Sequence, residues 1–217
     1  MRRRSLHGFS AFVGLLAMGA VAAYAQEAQT VKLPAPRTEG GKPLMQALKE
    51  RRSTREFSAE KLPLQVLSDL LWAAFGINRE TGQRTAPSAN NRQEIDVYIA
   101  TAEGLYLYEA KGHEMRRVSA EDVRALTGTQ EFVKQAPINL VYVADLARGK
   151  RTRAEDIEFY SGANTGFIAQ NVYLFCASEG LACVVRALVN REALAKAMGL
   201  RPDQKITLAQ TVGYPKK

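Results

Sequence analysis

The chain has 217 residues, 46% hydrophobic and 24% charged, with a formal net charge of +8. These proportions belong to one globular domain or two small ones and exclude a disordered chain, a collagen and a disulfide-stapled miniprotein. Two cysteines cannot form a disulfide framework.

The first 25 residues read as a targeting segment. MRRRSLHG is a positive start, Phe9 to Ala25 is an apolar run, and small residues stand at Ala23 and Ala25. The pattern matches a secretory signal cleaved after Ala25; the run is at the short end for a membrane span, which leaves an uncleaved anchor as the alternative. Gln26, not a cysteine, directly follows Ala25, which argues against a lipoprotein anchor. Arg2-Arg3-Arg4-Ser5-Leu6-His7 fits either an ordinary signal or a twin-arginine export signal. Cleavage leaves 192 residues and, by removing Arg2, Arg3 and Arg4, lowers the net charge from +8 to +5. The exported, periplasmic domain expected here has no nucleic-acid motif and no segment for stable membrane insertion.

Residues 26–42 form a polar, extended lead-in, and the domain runs over 43–217. Pro43 favours a helix start, with Leu44, Ala47 and Leu48 as its apolar face. Pro63 opens a second helix, and Gly76 ends it. The polar, turn-rich stretch 78–94 is a loop long enough to suggest a functional role. Residues 95–101 and 105–109 read as a hairpin around Ala102-Glu103-Gly104. Residues 119–126 and 129–135 suggest short helices, and the apolar run 138–144 a central strand. A long helix spans 154–179, with Phe167, Ile168, Tyr173, Leu174 and Phe175 on its apolar side, and breaks at Gly180. Residues 182–189 are open between loop and strand. Asn190 could cap a helix over 191–198, and 206–214 reads as the final strand. The mixture is α+β, one sheet with helices packed on it.

Three clusters could carry chemistry. In RRSTREF, 51–57, the forked donors of Arg51, Arg52 and Arg55 with the hydroxyls of Ser53 and Thr54 suit a phosphate. Taken alone, the same residues suit a solvated helix end somewhat better. In PSANNRQ, 87–93, the amides of Asn90, Asn91 and Gln93 can read a heterocycle edge, or simply build a turn. Gly162 and Gly166 permit close approach of another element, and Gln170 and Asn171 need hydrogen bonds if packed. His113 is the only histidine beyond the signal, so neither a metal site nor a histidine-dependent triad is expected. Cys176 and Cys183 would lie about 10 Å apart along a continuous helix, too far to bridge, but the break at Gly180 leaves their geometry open. An enzyme built this way needs a cofactor to supply the reactive atoms.

Taken in order, RRSTREF, APSANNRQ, SGANTGFIAQNVYLFCASEGLACVV and TLAQTVGYPKK resemble the motifs of the FMN-dependent nitroreductase family, over roughly 43–215. The compact form resembles its dehydrogenase-like branch. The resemblance implies a nitroreductase-like α+β fold, a central, mostly antiparallel sheet flanked by helices, in an intertwined homodimer whose subunits both line each of two flavin sites. It implies FMN as cofactor. Arg51, Arg52 and Ser53 would hold the phosphate and ribityl chain, and Arg55 would reach the pyrimidine side. Pro87, Ser88 and Ala89 would line the ring, with Asn91 and Gln93 near its polar edge. Backbone amides at Ala187 and Leu188 would face flavin N5, and Lys216 and Lys217 would complete the phosphate grip. Three features depart from the family pattern. Glu94 and Ile95 follow the loop glutamine where many members have proline and an aromatic residue, Leu188 replaces a common glycine, and the sequence stops soon after Gly-Tyr-Pro.

The implied activity is oxidoreduction in two half-reactions, from NAD(P)H or an organic donor to a nitroaromatic, quinone or similar acceptor. Two other readings stand beside it: an exported flavin-binding or interaction protein without turnover, and an unrelated basic periplasmic binding domain.

Overall fold

The computed structural model describes residues 30–149 and 153–216. The proposed export signal, the start of the lead-in and Lys217 lie outside the described residues. Seven strands form one sheet: β1 (Thr30–Lys32), β2 (Ile95–Thr101), β3 (Gly104–Glu109), β4 (Glu114–Ser119), β5 (Ile138–Asp145), β6 (Ala182–Arg186) and β7 (Gln204–Gly213). Their order is β1-β4-β3-β2-β5-β7-β6, and every neighbouring pair is antiparallel. The helices are α1 (Leu44–Glu50), α2 (Leu64–Phe75), the single turn α3 (Phe132–Gln135), α4 (Ala154–Glu179) and α5 (Arg191–Met198).

Side-chain alternation along the central strands builds two cores. Val97, Ile99, Leu140 and Tyr142 face α2 and α4. Tyr98, Ala100, Val141 and Val143 face Leu194 and Met198 of α5. Strand β5 is buried at every position, which explains why its sequence is apolar except for the hydrogen-bonded Asn139 and the terminal Asp145. The β2–β3 turn requires Gly104, which has φ +139° and whose absent Cβ would stand 2.3 Å from the Ser119 carbonyl. Gly180 ends α4 in the left-handed region, φ +71°.

Several local expectations need correction. Pro43 and Pro63 cap their helices from one position outside, with carbonyls accepting from Ala47 at 3.0 Å and Leu67 at 3.0 Å. On α1 only Ala47 is buried; Leu44 and Leu48 are exposed. Residues 119–126 and 129–135 contain only a tight turn at Arg124–Thr127 and α3. Strands β1 and β4 were not legible because only Met115 among their residues is buried, so no apolar alternation marks them. Gly162 and Gly166 are approached by nothing within 4 Å of an added Cβ among the described residues.

The lead-in is fastened to α2. Asp69 is buried and accepts from the Arg37 backbone and Nε, both at 2.8 Å. Ser68 donates to the Pro34 carbonyl at 2.6 Å, so the hydroxyl accepts from His113 Nε2 at 2.7 Å. Nδ1 then accepts from the Tyr108 hydroxyl at 2.9 Å, which fixes the neutral tautomer. No helix among the described residues is long and apolar enough to cross a membrane.

Candidate functional site

Helix α1 delivers the chain into the extended segment 51–57. That segment is stitched to the far edge of the sheet and to the end of β7. The Thr54 amide donates to the Cys183 carbonyl at 2.9 Å, Phe57 bridges Pro215, and the Lys216 amide donates to the Glu56 carbonyl at 3.2 Å. Arg51, Arg52 and Thr54 line a cavity of about 460 Å³, joined by Lys42, Lys49 and Tyr173 and bounded by Gly180 and Pro215. Its one carboxylate, Glu50, is held by Lys42 at 2.6 Å and Gln46 at 2.8 Å, bonds that lower its pKa. The remaining cations give the cavity a positive surplus, the donor set a phosphate group requires.

Tyr173 of α4 organises this side of the site. Its hydroxyl lies 2.8 Å from Ser53 Oγ and accepts from the Val185 amide at 2.9 Å. The Arg51 guanidinium rests 5.2 Å above its ring. One phenol therefore ties the arginine segment to β6, and β6 leads directly into Ala187 and Leu188. Those two residues are exposed, and no backbone carbonyl among the described residues accepts from either amide. Leu188 is 64% exposed.

Just before them, Arg186 is buried. It donates to the Thr127 carbonyl at 2.6 Å and to Asn139 Oδ1 and Thr211 Oγ1, each at 2.9 Å. Burial lowers its pKa to about 10. The pocket exists because residue 128 is glycine: a Cβ there would stand 2.0 Å from Arg186 Nη1.

The loop 87–93 is held in unusual backbone conformations. Asn90, Asn91 and Gln93 have φ of +54°, +51° and +51°. Asparagine tolerates this region, whereas glutamine needs external support. Gln93 receives it from Arg84 Nε at 2.8 Å, and donates to the Gly82 carbonyl at 3.0 Å and Asn91 Oδ1 at 2.9 Å. Its amide donates to Ser88 Oγ at 3.0 Å. The Ala89 amide donates to Asn164 Oδ1 at 3.2 Å, and Asn164 Nδ2 donates to the buried Glu94 Oε1 at 2.7 Å. Glu94 Oε2 has no partner among the described residues.

The structure thus brings Arg51, Arg52, Ser53 and the Lys216 backbone together and puts Ala187 and Leu188 on the same frame. Arg55 is exposed on the same segment. The loop carrying Pro87, Ser88, Ala89, Asn91 and Gln93 does not join them within one chain. It attaches to α4 at Asn164, nine positions before Tyr173, or about 14 Å along the helix axis. Tyr173, Asn164, Glu94, Lys42 and Lys49 were not singled out from sequence as site residues. Tyr173 was hidden among apolar helix residues, and single lysines or a lone acid carry no motif.

The two cysteines are free and buried. Gly180 breaks the helix between them and lets Cys183 meet Cys176; burial and that neighbouring thiol push the Cys176 pKa well up. Among the described residues no group of histidine, cysteine and acidic side chains could hold a metal ion.

Residues 48–214 match the model of the nitroreductase family. A "putative nitroreductase" of Methanocaldococcus jannaschii is 34% identical over 151 residues, covering 65% of this chain and 76% of that protein. The crystal structure of a "putative nitroreductase" from Ralstonia eutropha superposes with a TM-score of 0.84 at 42% identity, covering 97% of this chain and 100% of that one. An NADPH:FMN oxidoreductase from Vibrio harveyi, complexed with NAD+, shares the fold at a TM-score of 0.61 and 18% identity, covering 80% and 68% of the two chains. With its antiparallel sheet flanked by helices, the chain belongs to the nitroreductase family of oxidoreductases.

Proposed function

We propose that the protein is an FMN-dependent oxidoreductase acting in two half-reactions between a small donor and a small acceptor. The observation that carries this reading is the Tyr173 junction, which holds a basic cavity and a pair of exposed amides on one frame. Arg51, Arg52 and Ser53 would bind the phosphate and ribityl chain, with Lys216 beside them and Lys217 beyond the described residues. Arg55 would lend positive charge to the pyrimidine side. Bound FMN would supply hydride or electron transfer at N5, and the Ala187 and Leu188 amides would donate toward that atom. The chain then needs no side-chain base. The Vibrio harveyi relative, an NADPH:FMN oxidoreductase, supports the cofactor assignment. NAD(P)H or an organic donor, and a nitroaromatic, quinone or similar acceptor, remain the substrate classes.

A homodimer completes the site in this reading. The exposed face of α4 carries Phe159, Gly162, Ala163, Gly166 and Phe167 at helical spacing, while Leu44, Met45 and Leu48 are exposed on α1, which packs beside α4. Small residues flanked by large apolar ones suit a second helix at close range. A partner copy would bring its own 87–93 loop to the arginine segment. The amino-terminal sequence supports export to the periplasm.

The test is purification of the dimer followed by FMN titration and anaerobic reduction. Yellow protein whose flavin is reduced by a donor and reoxidised by an acceptor is the expected result. Colourless protein that takes up no added FMN overturns the reading. The exposed Leu188 at the N5 segment favours a second reading, flavin binding without turnover; rapid reduction and reoxidation of the holoprotein excludes it. Family membership sets aside an unrelated binding domain.

A further inference from the structure

A second cavity, about 370 Å³, lies behind the 87–93 loop, between the end of α2 and strands β2 and β3. Its charged walls are unequally paired. Asp96 is clamped by Arg148 Nη2 at 2.9 and 3.1 Å, and Glu109 is paired with Arg116 at 3.4 Å. Arg84 has no carboxylate partner among the described residues. Its guanidinium lies 4.9 Å over the Phe75 ring, with Nε on Gln93 Oε1 at 2.8 Å and Nη1 on the Phe75 carbonyl at 2.9 Å. Both acceptors are neutral, and Nη2 is left with no acceptor among the described residues. Burial lowers the Arg84 pKa and so does the nearby Arg148 charge, against the raising influence of Tyr108, Asp96 and Glu109. Lys111 lines the same cavity with no ion pair among the described residues.

We infer that this cavity is a binding site for a small oxyanion, a carboxylate or a phosphate, held by Arg84 Nη2 and Lys111. A half-buried guanidinium with two neutral bonds and one open edge presents parallel donors to such a group. The volume is within the range of small-molecule sites. The site is separate from the basic cavity beside Arg52 and meets the flavin reading only at Gln93, which Arg84 holds. An anion on Arg84 therefore stands one side chain away from the loop, and its occupancy would be felt there.

The test uses succinate and inorganic phosphate as probes, titrated calorimetrically at constant ionic strength into full-length protein saturated with FMN. One probe per chain binds saturably, and the comparison of the two tells carboxylate from phosphate. Arg84→Gln weakens binding about tenfold or more and Lys111→Gln by a smaller factor, as loss of a charged hydrogen bond predicts. Lys196→Gln, at an exposed position on α5 away from both cavities, leaves it unchanged. Lys111 makes no ion pair among the described residues, so its variant reports on the site even where Arg84→Gln disturbs the loop. No saturable binding of either probe, binding that survives both the Arg84 and Lys111 variants, or binding lost in Lys196→Gln overturns the inference. If the protein takes up no FMN, the same titrations are run without it, so the two readings fail separately.

Discussion

The Ser53 hydroxyl lies 2.8 Å from the Tyr173 hydroxyl, and through it the arginine segment is coupled to the Val185 amide of β6. Replacing Tyr173 by Phe removes both bonds while keeping the ring under Arg51. The orphaned amide costs about 1–3 kcal/mol in urea unfolding. FMN affinity falls about tenfold, equivalent to 1.4 kcal/mol. Unaltered FMN binding in this variant would show that the junction does not position the site.

Arg52→Gln separates the phosphate from the ring. The variant binds FMN about ten- to a hundredfold more weakly, the scale of a charged hydrogen bond. Riboflavin, which has no phosphate, binds it and the wild type equally. Parallel fluorescence titrations with the two ligands decide the matter, and an equal loss for both would place Arg52 elsewhere than at the phosphate.

Asn164 joins the loop to a buried acid, accepting from the Ala89 amide and donating to Glu94. Asn164→Ala strips both partners and costs about 1.5–3 kcal/mol, because one of them is a buried carboxylate. Hydrogen exchange at the Ala89 amide accelerates in the variant. An unchanged rate there would rule out this bond as the loop's anchor.

Acid should loosen the lead-in. Burial lowers the His113 pKa from its ordinary value near 6.5, against the raising influence of the Pro34 carbonyl and Asp69. The unfolded chain then binds the proton more readily than the folded one. Stability is full above pH 6.5 and is lost as the pH falls from there toward the lower folded value. Melting temperature measured across that window should drop in the wild type. A His113→Gln variant should show a flatter profile; an identical slope would assign the loss to other groups.

Gly128→Ala tests the Arg186 pocket. Backbone freedom is not at issue, since φ is 179° and any residue adopts it. The new Cβ would displace a guanidinium that bonds the Thr127 carbonyl at 2.6 Å, at a cost of about 1.5–3 kcal/mol in calorimetric unfolding. A neutral effect would mean that Arg186 has an alternative seat.

What the sequence disclosed depended on how each part is stabilised. The long helix α4 ends at Gly180 as read, because a left-handed cap is a local device. Strand β5 was legible because burial on both faces leaves a mostly apolar run, interrupted only by Asn139 before the terminal Asp145. Strands β1 and β4 were not, since they rest on edge pairing with charged residues. The arginine segment was visible as a motif, but its anchor was not: Tyr173 lies 120 positions from Ser53. Likewise, nothing local in PSANNRQ shows that it attaches to the other half of α4.

The backbone bond from Thr54 to Cys183 has a second effect. Strand β6 is the last in the sheet, and this bond lays the arginine segment along its open side. An uncovered strand edge invites pairing with other chains and aggregation. The cover uses main-chain atoms, so it does not depend on which side chains the segment carries. Substituting Arg51, Arg52 or Arg55 therefore leaves the edge shielded, and variants that have lost the anion grip should stay soluble enough to be measured.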